Sequence, residues 1–254
     1  THTKSLRDTV GMNFDNIRIY QLIMLPQTDL NTPTTRTLYD MKTKHRIMPR
    51  SFGQYTVAGE TFTSVESEEI LVSNSTLPFD DYVKCRELDL TIEILHNGNV
   101  FMEIQGLCKA KGLSWFDFIL RFFENRNNFT DGITKMYGDF KAHTSSRLWD
   151  SVDSLGNHCR NNIDDMLQDE RGTNEISTAK ATSFFLLFED MNKVVFSLMR
   201  DWLEKLALLD DLMQSYLDDL EYFSLLRKKH LFSIKDDMEY LSSFDLIKIK
   251  NNSF

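Results

Sequence analysis

The sequence of 254 residues has few prolines and lacks any long hydrophobic run. Its four prolines all lie within the first 78 residues, and the rest of the chain has none. Because proline breaks helix interiors, this distribution predicts a helical second part that begins near residues 75–79. No apolar run approaches the roughly 20 residues that a membrane-spanning helix needs, so no membrane span is predicted.

Cysteine and catalytic motifs are also scarce. The three cysteines, Cys85, Cys108 and Cys159, are too widely spaced for a disulfide framework, a zinc pair or an iron-sulfur motif. The sequence has no HExxH, Walker, GxGxxG or Ser-His-Asp signature either. We therefore expect free thiols and no metal bound by this chain. The polar start does not resemble a signal peptide, and we expect a cytoplasmic fragment that begins inside a longer protein.

Positive charge is outnumbered, and the excess of negative charge lies in the second part. Residues 1–75 hold 8 Lys and Arg against 8 Asp and Glu, so residues 76–254 hold the other 21 and 30 and give the net charge of -9. An acidic surface repels phosphate backbones, which argues against nucleic acid as a partner. Apolar and aromatic residues are frequent enough for a sizeable core.

The pattern of apolar residues predicts an α+β fold that is mainly α. Residues 1–75 are expected to form the last β/α unit of a partial barrel with a small β segment, and residues 76–254 a helical C-terminal domain. The strand at 16–25, NIRIYQLIML, is expected to be buried on both faces, as in a parallel sheet. Other expected elements are a helix from Pro33 to about 41, strands at 54–57 and 69–73, helices at about 78–97, 99–110, 114–126, 131–150, 151–170, 176–205 and 207–229, and a terminal strand at 244–250.

The basic run MKTKHRIMPRSFG at 41–53 stands out in an acidic protein. One interpretation is a solvated loop whose charges meet the acidic residues that follow it, Glu60, Glu66, Glu68 and Glu69. The other is a clamp for an anionic small molecule, because the run follows the predicted strand at the end where barrels bind ligands. In that case Arg46 and Arg50 are expected to bind a carboxylate or phosphate, together with Lys42 and Lys44.

Acidic residues cluster at several places in the helical part. The stretch DDMLQDE places Asp164, Asp165, Asp169 and Glu170 about one helical turn apart, and Asp236 and Asp237 form a further pair. Helices of this kind can hold magnesium. However, pairs of Asp recur throughout this part, and a solvated acidic face explains them better.

Three stretches together resemble a known family. They are YQLIMLPQTDLNTP at 20–33, TRTLYDMKTKHRIMPRSFGQY at 35–55 and ILVSNSTLPFDDYVKCRELDLTIEILHN at 70–97. They are similar to the C-terminal region of cobalamin-binding radical SAM proteins. In that family the last barrel strand is followed by an LPGTEL-like segment, a basic PRxFG-like stretch and a helical domain. Here Gln27 stands where the family usually has glycine, so the turn after the strand is expected to differ.

The resemblance implies a radical SAM enzyme that acts on an anionic small molecule or a surface-polysaccharide precursor. It also implies where cofactors would bind. S-adenosylmethionine would approach the end of the strand at Tyr20, Gln21, Leu25, Pro26, Gln27 and Thr28. The iron-sulfur cluster, and cobalamin if the enzyme uses it, would be held by an N-terminal remainder of the same enzyme. The isolated chain would then be inactive. An uncovered strand at 16–25 also predicts possible self-association.

Two other functions remain open on sequence grounds. The first is a non-catalytic helical module whose acidic face binds a basic protein partner. The second is a magnesium-dependent all-α enzyme that uses the Asp-rich helices.

Overall fold

The computed structural model describes residues 1–168, 174–229 and 239–245. These residues form an α+β fold that is mainly α, as the sequence predicts. In chain order the elements are α1 (His2–Gly11), α2 (Pro33–Leu38), β1 (Lys42–Val57), β2 (Glu60–Ser73), α3 (Phe79–Leu95), α4 (Met102–Ala110), α5 (Trp115–Asn125), α6 (Asp131–Ser146), α7 (Val152–Gln168), α8 (Glu175–Phe185), α9 (Phe188–Lys205) and α10 (Asp211–Lys229). Among the described residues, no helix is both long and apolar enough to cross a membrane.

The chain divides into two compact units, each built from separate stretches of sequence. The first comprises residues 1–17, 90–137 and 180–254, and the second comprises residues 18–89 and 138–179. The boundary predicted near residues 75–79 lies inside the second unit. The division into two domains near residue 75 stays a prediction.

The first unit has an aromatic core around α5. Ser114 caps this helix by accepting a hydrogen bond from the Asp117 amide at 3.2 Å. Phe118 is fully buried and stacks on Trp115 and Trp202, with ring centroids 5.4 and 6.1 Å apart. Burial of such large rings supplies much of the hydrophobic stabilisation of a helical unit.

A buried histidine links α3 to the start of the chain. The His96 Nδ1 accepts from the Trp115 indole at 3.2 Å, and Nε2 lies 2.8 Å from the Phe14 carbonyl oxygen. This pair of contacts suits a neutral ring that is protonated at Nε2. Burial lowers the pKa of His96 below its ordinary value.

We expect acid to destabilise the chain through His96. Its pKa is lower in the folded than in the unfolded state, so its contribution to stability is present above about pH 6.5 and is lost as the pH falls through the folded pKa. The free energy of unfolding, measured in urea between pH 7 and pH 5, should fall less steeply in His96→Gln than in the wild type. Identical slopes for the two proteins would contradict this assignment.

A long antiparallel β-hairpin dominates the sheet of the second unit. β1 and β2 pair along their lengths through a two-residue turn at Ala58 and Gly59, whose φ angles of 52° and 84° are those that tight hairpins require. The register shifts by one residue between Lys42 and Thr43, is regular from Thr43 opposite Leu71 to Ile47 opposite Ser67, and resumes at Phe52 opposite Val65. Residues 48–51 therefore bulge opposite a single residue, at the place where Pro49 cannot donate a ladder hydrogen bond.

Only the inner half of the hairpin is covered. On one side the Met24 amide donates to the Glu69 carbonyl at 2.8 Å, and on the other side His45 and Trp149 exchange two backbone hydrogen bonds of 2.8 Å. Ile47 belongs to one apolar cluster and Ile70 to another. Residues 54–63, by contrast, are exposed throughout.

The prediction of a strand at 16–25 is wrong. These residues are extended, but they form only one isolated bridge, between Ile23 and Ile70, and the pairing is antiparallel. Tyr20 is 77% exposed and Leu25 is 57% exposed, because the segment lies along the edge of the hairpin with one face outward. The apolar run predicts a strand that is buried on both faces, but in the structure only one face of the segment is buried. Self-association through this segment stays a prediction.

The other predicted strands and helices differ from the structure in their length. The strands expected at 54–57 and 69–73 are present but much longer, and the basic run lies inside β1 rather than in a loop. The helix predicted at 176–205 is interrupted between Phe185 and Phe188 and forms α8 and α9. The terminal strand expected at 244–250 lies mostly outside the described residues.

Candidate functional site

A cavity of about 150 Å³ lies in the second unit, beside the inner half of the hairpin. Residues from the edge segment, β1, the end of α6, α7 and the start of α8 surround it. The lining residues are Gln21, Arg46, Ile47, Phe52, His143, Thr144, Arg147, Leu148, Trp149, His158, Met166 and Glu175. An apolar wall with a few convergent polar groups is typical of small-molecule sites.

Arg46 enters the cavity from β1 and is already paired. It stands directly opposite Glu68 in the sheet register, and its Nε donates to the Glu68 Oε1 at 2.5 Å. Its guanidinium also lies 3.9 Å from a carboxylate oxygen of Glu175. The side chain of Glu68 is only 6% exposed, so the pair is largely removed from water. Arg46 therefore lines the cavity with its charge mostly neutralised.

A second buried arginine completes this charge network. Arg86 of α3 lies 3.1 Å from Glu175 and 3.3 Å from Asp89, and its side chain is 7% exposed. Glu175 is thereby shared between Arg86 and Arg46. Because each buried carboxylate has a cationic partner, the network fixes the positions of Glu175 and Arg46 at the cavity wall.

Arg147 has a different environment, because no carboxylate among the described residues pairs with its charge. It follows the last turn of α6 and is half-buried, and its amide donates to the His143 carbonyl at 3.1 Å. Among the described residues, the guanidinium of Arg147 has no ion-pair partner. The neighbouring Thr144 is 4% exposed, and its hydroxyl likewise has no hydrogen-bond partner among them. This part of the cavity therefore offers an available cation, whereas the Thr144 hydroxyl is buried behind the surface of the wall.

Gln21 lines the cavity and is hydrogen-bonded to Tyr82. Its Nε2 donates to the Tyr82 hydroxyl at 2.8 Å, while its Oε1 is buried without a described partner. Burial raises the pKa of Tyr82 to about 12, so the phenol stays neutral at physiological pH. The Gln21 side chain is thus anchored to Tyr82 in the cavity wall, and its oxygen does not face the cavity space.

Aromatic side chains form the rest of the wall. The rings of Trp149 and His158 lie 4.9 Å apart at an angle of 43°. Trp149 is held in place by its backbone bonds to His45, and His158 lies next to Asn162, where α7 is kinked. A planar or apolar part of a ligand could pack against the exposed face of such a pair.

The structure separates the residues that the sequence grouped as cofactor-binding. Gln21 lines the cavity, whereas Tyr20, Leu25, Pro26, Gln27 and Thr28 are exposed along the edge segment and its turn. Gln27 has a φ of 63°, the left-handed region that favours glycine. The turn therefore has the backbone conformation that a glycine would adopt there, contrary to the expectation that the substitution changes it.

The three clamp residues whose side chains are described are not gathered at one place either. Arg46 lines the cavity, Lys44 pairs with Asp150, and the exposed Lys42 pairs with Asp40 at 2.7 Å. The side chain of Arg50 lies outside the described part of the structure. The expected neutralisation of the basic run by the acidic residues that follow it is found in part, since Glu68 pairs with Arg46. Glu69 instead pairs with Arg36 of α2 at 2.7 Å, which lowers the pKa of that carboxyl.

Sequence reasoning missed most of the cavity. His143, Thr144 and Arg147 follow one another at helical spacing in a stretch that carries no known motif. Their place at the cavity wall follows from the fold, because the end of α6 lies beside β1.

The acidic clusters of the sequence do not form a metal site in the described residues. Asp164 and Asp165 are exposed, and Asp169, Glu170, Asp236 and Asp237 lie outside the described residues. Within the described ranges, no three His, Cys, Asp or Glu side chains are grouped to hold a metal ion.

Comparison with known proteins adds no family assignment. No protein-family model matches the chain, and no curated protein matches it either.

Proposed function

We propose that the cavity binds a small organic anion through Arg147. The observation that carries the proposal is that Arg147 is half-buried, lines the cavity and has no carboxylate partner among the described residues. A cation that is available in a partly dry site attracts a carboxylate or phosphate more strongly than one in bulk water. Arg46 contributes less net charge, because Glu68 neutralises it.

The volume restricts what can bind. A space of about 150 Å³ holds a molecule of roughly the size of benzene. The occupant is therefore a small acid or one charged end of a larger substrate. Ile47, Phe52, Leu148 and Met166 would cover its apolar part.

We further propose, on the resemblance in sequence, that the chain is the C-terminal part of a cytoplasmic radical SAM enzyme. The positive φ of Gln27, where the family usually has glycine, supports this proposal. The three cysteines of this chain do not have cluster spacing, so the iron-sulfur cluster, S-adenosylmethionine and any cobalamin would depend on an N-terminal remainder of the enzyme. A reading frame that encodes Cys-x3-Cys-x2-Cys upstream of Thr1 would be the result expected, and its absence would contradict the proposal.

Anion binding is tested by titrating the chain with propionate and with its neutral analogue propionamide. We expect propionate alone to shift the indole resonance of Trp149, and Arg147→Met to weaken its binding by about 1.5–3 kcal/mol, the value of a hydrogen bond to a charged group. The measurement is a two-dimensional NMR titration of the chain.

The matched control is Arg160→Met, because Arg160 is exposed on α7 of the same unit and does not line the cavity. This variant should bind propionate as the wild type does. Equal binding of the acid and the amide, or equal losses in the two variants, would show that Arg147 is not an anion site.

A further inference from the structure

The apolar side of the cavity is formed mainly by flat and polarisable side chains. Phe52, Trp149 and Met166 all line it, and all three also pack against the buried cluster around Ile47. Each of the three is only partly buried, so part of its surface remains accessible. Such a wall matches an aromatic ring, because the positive edge of a ring contacts the electron-rich faces of aromatic side chains and the sulfur of methionine.

Trp149 is held in place before any ligand binds. Its amide donates to the His45 carbonyl and its carbonyl accepts from the His45 amide, both at 2.8 Å, which fixes its backbone against β1. Its ring lies 4.9 Å from the ring of His158, at an angle of 43°. A surface whose side chains are already ordered loses little entropy when a ligand packs against it.

We infer that the ligand of this cavity is a small aromatic acid, with its carboxylate at Arg147 and its ring against Trp149 and Phe52. This inference rests on the proposed anion site at Arg147. A space of about 150 Å³ accommodates one ring of the size of benzene. The carboxylate must therefore be attached to the ring directly or through a very short link.

The chain brings the cation and the aromatic surface together over a short distance. Only Leu148, which also lines the cavity, separates Arg147 from Trp149, so the Cα atoms of these two residues are at most about 7 Å apart. This closeness suits a compact ligand whose anionic group lies next to a ring. A saturated acid of equal size can also reach Arg147, but it offers neither a flat face nor a positive edge to the aromatic wall.

The test compares benzoate with cyclohexanecarboxylate, which have the same carbon skeleton and charge and differ in whether the ring is flat and aromatic. In NMR titrations of the whole chain, observed through the protons of the ligand, we expect benzoate to bind the wild type roughly three- to tenfold more tightly, the effect of one favourable aromatic contact. Nuclear Overhauser effects should connect the protons of benzoate with the indole of Trp149. Benzamide, which lacks the charge, should bind more weakly than benzoate.

Two variants of the wall and one control locate the ring. Trp149→Leu should remove most of the preference for benzoate. Phe52→Leu alters the same wall from β1 and should reduce the preference as well, so the test does not depend on the folding of one variant. The matched control is Tyr55→Leu, because Tyr55 lies on the same strand but is 52% exposed and does not line the cavity. This variant should keep the preference of the wild type.

The outcomes separate this inference from the proposal on which it rests. If benzoate and cyclohexanecarboxylate bind the wild type equally, and both depend on Arg147, the anion site stands and the requirement for an aromatic ring is wrong. A preference for benzoate that survives both Trp149→Leu and Phe52→Leu would also overturn the inference, because the ring would then bind elsewhere. If neither acid binds the wild type, or if Arg147→Met leaves the binding of benzoate unchanged, the anion site itself is refuted, and this inference with it.

Discussion

Replacing Arg86 by methionine should lower the free energy of unfolding by about 3–5 kcal/mol, the range for breaking a buried ion pair from one side. The change removes the cationic partner of Asp89, whose side chain is 5% exposed, and one of the two partners of Glu175. Both carboxylates would remain buried with less compensation. Urea denaturation followed by circular dichroism measures the loss.

Lys84→Met is the matched control for Arg86→Met. Lys84 lies on the same helix and pairs with Asp81 three residues away, at 3.1 Å, but its side chain is 64% exposed. Surface pairs of this kind contribute between zero and about 1 kcal/mol. If the two variants lost equal stability, burial would not be the cause, and the charge network would have no special role in holding the cavity wall.

Replacing Lys228 by methionine should raise the free energy of unfolding below pH 7 by about 1–4 kcal/mol, because it removes the desolvation cost that lowers the pKa of the buried ammonium. The Lys228 side chain is 4% exposed and is held by Ser224 at 2.7 Å and by Glu103 at 3.8 Å. Each partner keeps one contact after the change, although neither carboxylate oxygen of Glu103 accepts a hydrogen bond from a described residue. Ser224 still donates to Asn192 at 2.9 Å, and Glu103 still pairs with Arg227 at 2.5 Å.

The gain from Lys228→Met should depend on pH. Burial lowers the pKa of Lys228 to about 7, against about 10.4 in the unfolded chain, while Glu103 acts in the opposite direction. The rings of Phe101 and Phe188, 4.4 and 5.2 Å from the ammonium, also favour the charged form. Between these pKa values the unfolded state binds more protons, so the wild type gains stability as the pH rises from 7 to 10.

Denaturation at pH 6 and pH 9 therefore tests the sign of the effect. The advantage of the methionine variant should be full at pH 6 and much smaller at pH 9. Lys193→Met, an exposed change on α9, should have little effect at either pH. Destabilisation by Lys228→Met at both pH values would mean that its contacts to Ser224, Glu103 and the two rings outweigh the cost of burial.

The helical part of the fold could be predicted because its signals are local. Ser114 caps α5 and apolar residues recur at helical spacing, so each helix is specified by residues close together in the sequence. The sheet could not be predicted in the same way. An apolar run such as that at 16–25 has the same composition at a sheet edge as in a buried strand, and its partners are about 45 residues away or more.

The candidate site illustrates the same limit. The sequence singled out Gln21 and Arg46, and both line the cavity. It could not show that Glu68 would neutralise Arg46, because that depends on the hairpin register. Nor could it show that Arg147, about 100 residues after Arg46, would supply the cation that has no carboxylate partner among the described residues. Such a site is a property of the assembled unit, and its residues carry no motif that marks them beforehand.

The hairpin has one further consequence, which concerns how its length can vary between relatives. Its inner half is held by neighbours on both edges, but residues 54–63 are exposed and held only by each other. One residue added to each strand near Ala58 and Gly59 would extend the ladder by one cross-strand pair and leave the register at Arg46 and Glu68 untouched. Insertions of unequal length would instead shift every pair between the change and the turn. The outer arm is thus free to lengthen or shorten in matched steps while the cavity beside its base stays the same.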